Sequence, residues 1–318
     1  MTAGERTLAA VRGVAARALL GLGTVWALAT LVFLSLRLLP GDPAALVHGD
    51  LASEEERAAL RRSLHLDESL ATQYARFVWG ILRLDLGASL RHPSRGAFSL
   101  AVDAFWPTAS FALTAVSIGA LLGVAAGGLS SARLLGPGRR VVHALTLAVA
   151  AVPLLGLAPV ATYLLAVRAR ALPLPGDPDA GVAGALFAAT LLALPLGAQV
   201  ARATRAALRE LGRAQFLTVA KAKGASDLRV LVVHALPAVS GPILTVVGTQ
   251  LGALLGGAVV LERLFERPGL GTVMIQAYAA RDLPVLEAGI VSSGALFVVT
   301  QSLFAALHAA VDPRVRRA

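Results

Sequence analysis

Apolar positions in this chain run on without interruption instead of alternating or recurring at helical spacing. Six stretches are each long enough to cross a bilayer, which takes about 20 mostly apolar residues. They are 18–36, 108–129, 141–167, 182–200, 238–261 and 286–310. The first follows Arg6, Arg12 and Arg17, a basic start like that of a signal peptide. Its apolar run is too long for one and five more spans follow, so the pattern predicts a retained anchor. Pro153 and Pro159 fall inside the third run and predict a kink there. The one long polar interval, 37–107, reads differently. Ser53 and Glu56 have capping-box spacing, and Leu70, Tyr74, Phe77, Val78, Ile81 and Leu82 recur at helical spacing. Two short amphipathic helices are expected there, on the outer face.

Composition supports the bilayer. Of 318 residues, 56% are hydrophobic and 15% charged, against about 25% charged in soluble domains. There is no cysteine, which removes disulfides, thiolate nucleophiles and Cys-based metal sites. The net charge of +10 is scattered between apolar runs, so it reads as membrane topology and not as nucleic-acid binding. With the N-terminus inside, the inner segments hold 16 Lys and Arg against four acids, and the outer ones 13 against 15 across more chain. The Lys/Arg bias therefore predicts both termini inside.

Gly119, Gly123 and Gly127 in the second run, and Gly248, Gly252 and Gly256 in the fifth, make stripes for close helix approach. Several chemistries are missing. Neither Lys221 nor Lys223, the only lysines, follows a glycine, so there is no Walker A loop. There is no HExxH, the six histidines are scattered, and "GLGTVM" and "GPGRRV" lack the third glycine of a dinucleotide loop. Glu262, Glu287, Arg37 and Arg168 fall at span edges and read as interfacial. With no midplane charge, a proton-coupled carrier is disfavoured, and whatever energy would drive transport is expected from another subunit.

The longest inner segment, 201–237, holds the most structured polar pattern. Arg202, Arg205, Arg209 and Arg213 share one helix face. "FLTVAKAK" predicts a second helix, closed by Gly224, and "SDLRVLVVHALP" restarts with Ser226 as N-cap and runs to Pro237. The expected shape is a helix–Gly–helix elbow projecting into the cytoplasm, with Phe216, Leu217 and Val219 as apolar docking residues; the alternative is a plain solvated loop that holds topology by charge.

At this stretch the chain resembles the inner-membrane permease subunits of ABC importers of the dipeptide/oligopeptide/nickel type. Ala220, Lys221, Ala222, Lys223, Gly224, Asp227 and His234 match that family's coupling loop to the ATPase. Further matches follow in order along the chain. They are "LPGDPA" with Pro40, Gly41, Asp42 and Pro43, then "LDLGAS" with Asp85, Gly87 and Ser89. "GGAVVLERLFERPGLG" follows, with Glu262, Phe265, Pro268, Gly269 and Gly271, then "RDLPVLEAGIV" with Arg281, Asp282 and Pro284, and finally "VDPRVR". Phe216, Thr218, Pro237, Ala305 and His308 depart from the family's usual residues.

The resemblance implies an all-α polytopic protein with six transmembrane helices, N-in/C-in. An anchor and external segment (1–107) would precede a five-span core (108–318) carrying the coupling loop 201–237. It implies a non-catalytic subunit with no cofactor, in a bacterial or archaeal inner membrane. Its partners would be a second related permease chain, two ABC ATPase subunits, an external solute-binding protein and membrane lipid. The motifs outside the coupling loop would surround the mouth, where Glu262, Arg281 and Asp282 are expected to make polar contacts. The lysines serve either as the elbow's contacts or as inside anchors. A self-sufficient carrier or channel is the rival class, and a membrane-embedded enzyme the third.

Overall fold

A computed structural model describes residues 3–38, 53–131, 136–257 and 259–311. Among them there is no β-strand, only an isolated bridge between Ala88 and Gly96. The helices in chain order are α1 (Ala3–Leu38), α2 (Glu54–Ser63), α3 (Leu70–Arg83), α4 (Ala97–Ser131), α5 (Gly138–Ala151), α6 (Leu154–Arg168) and α7 (Gly181–Leu211). They continue with α8 (Gln215–Ala222), α9 (Asp227–Ala238), α10 (Ser240–Gly257), α11 (Val259–Leu264), α12 (Leu270–Ala279) and α13 (Leu283–Val311).

Among the described residues, four helical stretches are long and apolar enough to cross a membrane: Leu19–Leu38, Ala97–Ser131, Gly181–Leu211 and Leu283–Leu307. Two bent pairs raise the number to six if each is one span: α5 with α6, bent by 101°, and α9 with the Ser240–Leu255 part of α10, bent by 65°. The expected kink in the third run is thus a full break. Pro153 forces the preceding Val152 out of the helical region, to φ −83° and ψ 123°, and α6 starts afresh. α6 tolerates Pro159 and ends in a π turn, Tyr163–Arg168.

The chain forms two compact units. One comprises residues 1–108 and 255–299, the other 109–254 and 300–318. In the first, α4, α12 and α13 enclose Ala101, Phe98, Leu270, Met274 and Ala288. Beside them Phe33 of α1 meets Phe77 of α3 and Val291 of α13, and Thr30 hydrogen-bonds the Tyr74 hydroxyl at 2.7 Å. Both expected amphipathic helices are present as α2 and α3. Ser69 caps α3, and Leu84 closes it in the left-handed region at φ +54°.

In the second unit the glycine stripe of α4 lies directly on α7. A methyl group on Gly123 would come within 2.6 Å of the Gly197 carbonyl oxygen, and one on Gly127 within 2.7 Å of the Ala201 oxygen. Only hydrogen at these positions lets the two backbones approach so closely. Gly248 instead makes room for a side chain, since a methyl there would fall 2.6 Å from the Phe304 ring.

Candidate functional site

The elbow is built as the residues predict. α7 ends at Leu211, α8 follows, and Gly224 closes α8 at φ +84°, a region an L side chain enters only at a cost. The Gly224 and Ala225 amides donate to the carbonyls of Lys221 and Ala220, at 2.9 and 3.1 Å, and thereby satisfy the last turn. Ser226 accepts from the Arg229 amide at 3.3 Å and starts α9. Lys221 forms an ion pair with Asp227 across the bend. Both side chains are well exposed, so this pair contributes at most about 1 kcal/mol.

The elbow has two faces. Its underside is apolar: Leu217, Leu231, Ala235 and Val239 pack on Val200 and Leu208 of α7. Its outer face shows Ala222, Lys223 and Gly224, with Phe216, Val219 and Leu228 left 46, 51 and 55% exposed. Ala220 and His234 are partly covered. Apolar side chains displayed beside positive charge on a short rigid projection suit a protein partner. The single basic face expected on α7 is modified. Arg213 falls beyond the helix end, and Arg205 turns inward to donate to the Ser130 carbonyl.

The motif residues from Asp85 to Ser89 and from Glu262 to Pro284 lie in the first unit, where buried carboxylates organise them. Glu262 is one. It was expected at an interface, yet it is only 1% exposed, and Glu287, expected likewise, is also buried. Thr108 donates its hydroxyl to Glu262 Oε1 and accepts the Leu270 amide at 2.8 Å, while the Thr272 amide donates to Oε2 at 3.1 Å. Gly269 and Gly271 make room: a methyl on Gly269 would fall 2.3 Å from the carboxyl carbon, and one on Gly271 would fall 2.3 Å from the Val259 Cα. Burial pushes the Glu262 carboxyl above its ordinary range, and the hydrogen bonds from Thr108, Thr272 and Gly271 pull the other way.

Asp282 is a second centre. Its Oδ2 accepts from the Ser89 hydroxyl and from the Arg91 amide at 3.2 Å, and Ser89 Oγ in turn accepts the His92 amide at 2.9 Å. Asp85 fixes its own turn by accepting the Gly87 amide at 3.0 Å, where Gly87 has φ +92°. The third centre joins elements distant in sequence: Arg37 of α1 pairs with Glu287 of α13, reaches Gln73 of α3 at 3.3 Å, and lies 4.1 Å over the Phe33 ring.

Glu262, Arg281 and Asp282 therefore do not form one cluster. Arg281 is exposed at φ +57° and stacks 5.5 Å from the Tyr278 ring. Phe265 and Pro284 are buried and Pro268 is exposed. Pro40, Gly41, Asp42 and Pro43 lie outside the described residues. Thr108, Gln73 and Thr272 escaped sequence reasoning. A threonine directly after Pro107, at the start of an apolar run, was the available signal for the first. Among the described residues no group of His, Asp and Glu is arranged to hold a metal ion.

Residues 119–317 match the model of the binding-protein-dependent transport system inner membrane component family, and residues 11–95 match the N-terminal model of the same systems. The chain belongs to that family. A relative named as a peptide transport system permease protein in Brucella abortus is 35% identical over 298 residues, 91% of this chain and 93% of its own length. A glutathione transport system permease protein of Salmonella typhi is 33% identical over 308 residues, covering 94% and 97%. Among solved structures, an inward-facing MetNI methionine ABC transporter chain superposes with TM-score 0.56 at 18% identity, over 67% of this chain and 96% of that one. That likeness is of fold. The protein is a multi-pass permease subunit of an ABC importer in the inner membrane, and the family is a transport component, in keeping with a non-catalytic part.

Proposed function

We propose that the permease crosses the membrane six times with both termini inside, each bent pair forming one span, and encloses half of a pathway completed by a second, related permease. Residues 1–107 supply the anchor and external segment, and residues 108–318 the core. Two ABC ATPase subunits seat against the elbows, and their closure on ATP opens the pathway outward. An external binding protein delivers the solute, which is a peptide or a small peptide-like molecule, as the names of the relatives suggest.

One observation carries this reading: the elbow of α8, Gly224 and α9, apolar underneath, with Phe216, Val219 and Lys223 on its open face. Ala220, Lys221, Ala222, Asp227 and His234 shape and brace it. Asp85, Gly87, Ser89, Glu262, Phe265, Pro268, Gly269, Gly271, Arg281, Asp282 and Pro284, with Pro40, Gly41, Asp42 and Pro43, shape the outer end where the binding protein docks. The buried carboxylates act there by holding loops in place.

The test is extraction from the native membrane in mild detergent, with identification of what accompanies the chain. A sister permease together with ATPases bearing a Gly-Lys-Ser/Thr loop is the expected result. A chain that purifies alone and transports solute after reconstitution would overturn the assignment in favour of a self-sufficient carrier.

A further inference from the structure

At the membrane end where α4 finishes and α5 begins, basic side chains converge from two helices. Arg205 of α7 lies within electrostatic reach of Arg209 and of Arg139 from α5, and His143 of α5 is near both Arg205 and Arg209. Among the described residues no acid forms an ion pair with Arg139, Arg205 or Arg209. Arg205 is oriented by its bond to the Ser130 carbonyl, and Arg139 and Arg209 are exposed. Three like charges that no acid among the described residues pairs with repel one another, and an arriving anion relieves that repulsion.

The neighbouring surface is apolar. α5 and α7 pack together, and with α4 they form a groove of about 260 Å³ lined by Leu122, Val142, Leu145, Val149, Leu194 and Ala198 among others. The groove and the cations share the same helix faces. Ala201 lies one turn from Arg205 on α7, and Val142 lies three residues from Arg139 on α5. Along α7 the groove runs from Ala201 to Ala193, about 12 Å at 1.5 Å per residue. That is within the roughly 15 Å of one leaflet's hydrocarbon. A free phosphate would satisfy the cations and leave the groove open. A phospholipid fills both, with its headgroup at Arg139, Arg205 and Arg209 and an acyl chain against Val142, Val149 and Ala198.

We propose that this groove is a binding site for one anionic phospholipid. Its placement in the inner leaflet rests on the orientation given above; the affinity for anionic lipid does not. Basic pockets between transmembrane helices have the charge and the depth to hold such headgroups.

Native mass spectrometry of the purified importer tests it, with phosphatidylglycerol titrated against phosphatidylcholine of the same chains. Arg139→Gln with Arg209→Gln leaves the Arg205–Ser130 bond in place. At about fivefold for each cation near a headgroup, it should lower phosphatidylglycerol retention about 25-fold and leave phosphatidylcholine unchanged. Val149→Trp keeps every charge and fills the groove. It should weaken retention while glycerol 3-phosphate fails to compete, and competition by glycerol 3-phosphate would reduce the site to an anion patch and overturn the proposal. Equal retention of the two lipids by the wild type would also overturn it. So would a double variant that loses its ATPases and keeps its lipid, since the cluster would then be a protein contact. The chain lacks cysteine, so Arg140→Cys reports sidedness to an impermeant maleimide. Labelling from outside would overturn the leaflet and the orientation together, with lipid retention still deciding the site.

Discussion

Replacing Gly224 isolates the backbone's share of the elbow. At φ +84° its conformation is left-handed, and a Cβ built there meets nothing within 4 Å. Any penalty in the free subunit is therefore torsional and not steric. An L-residue in that region costs about 1–2 kcal/mol, more for a β-branched residue and least for Asn. Since 1.4 kcal/mol is a factor of ten, Gly224→Ala should reduce the fraction of correctly bent elbows by about 5- to 30-fold, relative to the alternatives the hinge can reach. Gly224→Val should go further, and Gly224→Asn should stay nearest the parent. The assay is ATP-driven uptake into proteoliposomes of the reconstituted importer, normalised to inserted permease, with ATP hydrolysis followed in parallel. The expected order of uptake is Gly, Asn, Ala, Val, with insertion equal in all four. Full uptake by the Val variant would refute the elbow's role in coupling. Asn failing as completely as Val would refute the torsional argument and place a partner's atoms in the open space above Gly224.

Three more outcomes follow from buried contacts. Gly123→Val should fail to assemble the second unit, because its Cβ would lie 2.6 Å from the Gly197 oxygen and from Val200 Cβ. Overpacking of this kind costs about 1–3 kcal/mol, and size-exclusion of the detergent-solubilised variant reads it. Arg37→Met leaves Glu287 buried without its partner, a loss of about 3–5 kcal/mol, and Arg37→Met with Glu287→Leu should recover most of it in thermal unfolding. For Glu262, burial holds the folded carboxyl above its ordinary value of 4.5, so the unfolded chain ionises first as pH rises. Stability should therefore fall as pH climbs from about 4.5 through the raised value and then level off. Glu262→Gln should abolish that slope, yet start from a lower melting temperature because its single carbonyl oxygen cannot accept from both Thr108 and Thr272. An unchanged slope in this variant would assign the pH dependence to another group.

What could be read from the chain alone was whatever depends on neighbours in sequence. An apolar run declares a span because solvation of each residue is local, so the long helices α4, α7 and α13 were legible. The elbow was equally so, since a glycine that must turn left and a serine that must cap a helix act within a few residues of themselves. Lys/Arg asymmetry predicted an orientation for the same reason. The division of the third run was legible only as a kink. Pro153 marks where the helix has to break, but the 101° angle is set by what each half packs against.

Buried polar chemistry was not legible in that way. Glu262 and Glu287 sit at the edges of apolar runs and look interfacial by position. Only the fold brings Thr108 to Glu262 across 154 residues and Arg37 to Glu287 across 250, and these partners are what make burial of a carboxylate tolerable. The basic face of α7 divided for a similar reason, because Ser130 offers Arg205 a carbonyl that helical periodicity does not reveal. Sequence thus determined the helices, their breaks and the motif residues of the permease. Tertiary structure decided which charges are buried, which glycines touch backbone and where an apolar groove meets a basic cluster, since each depends on what a distant segment presents at contact range.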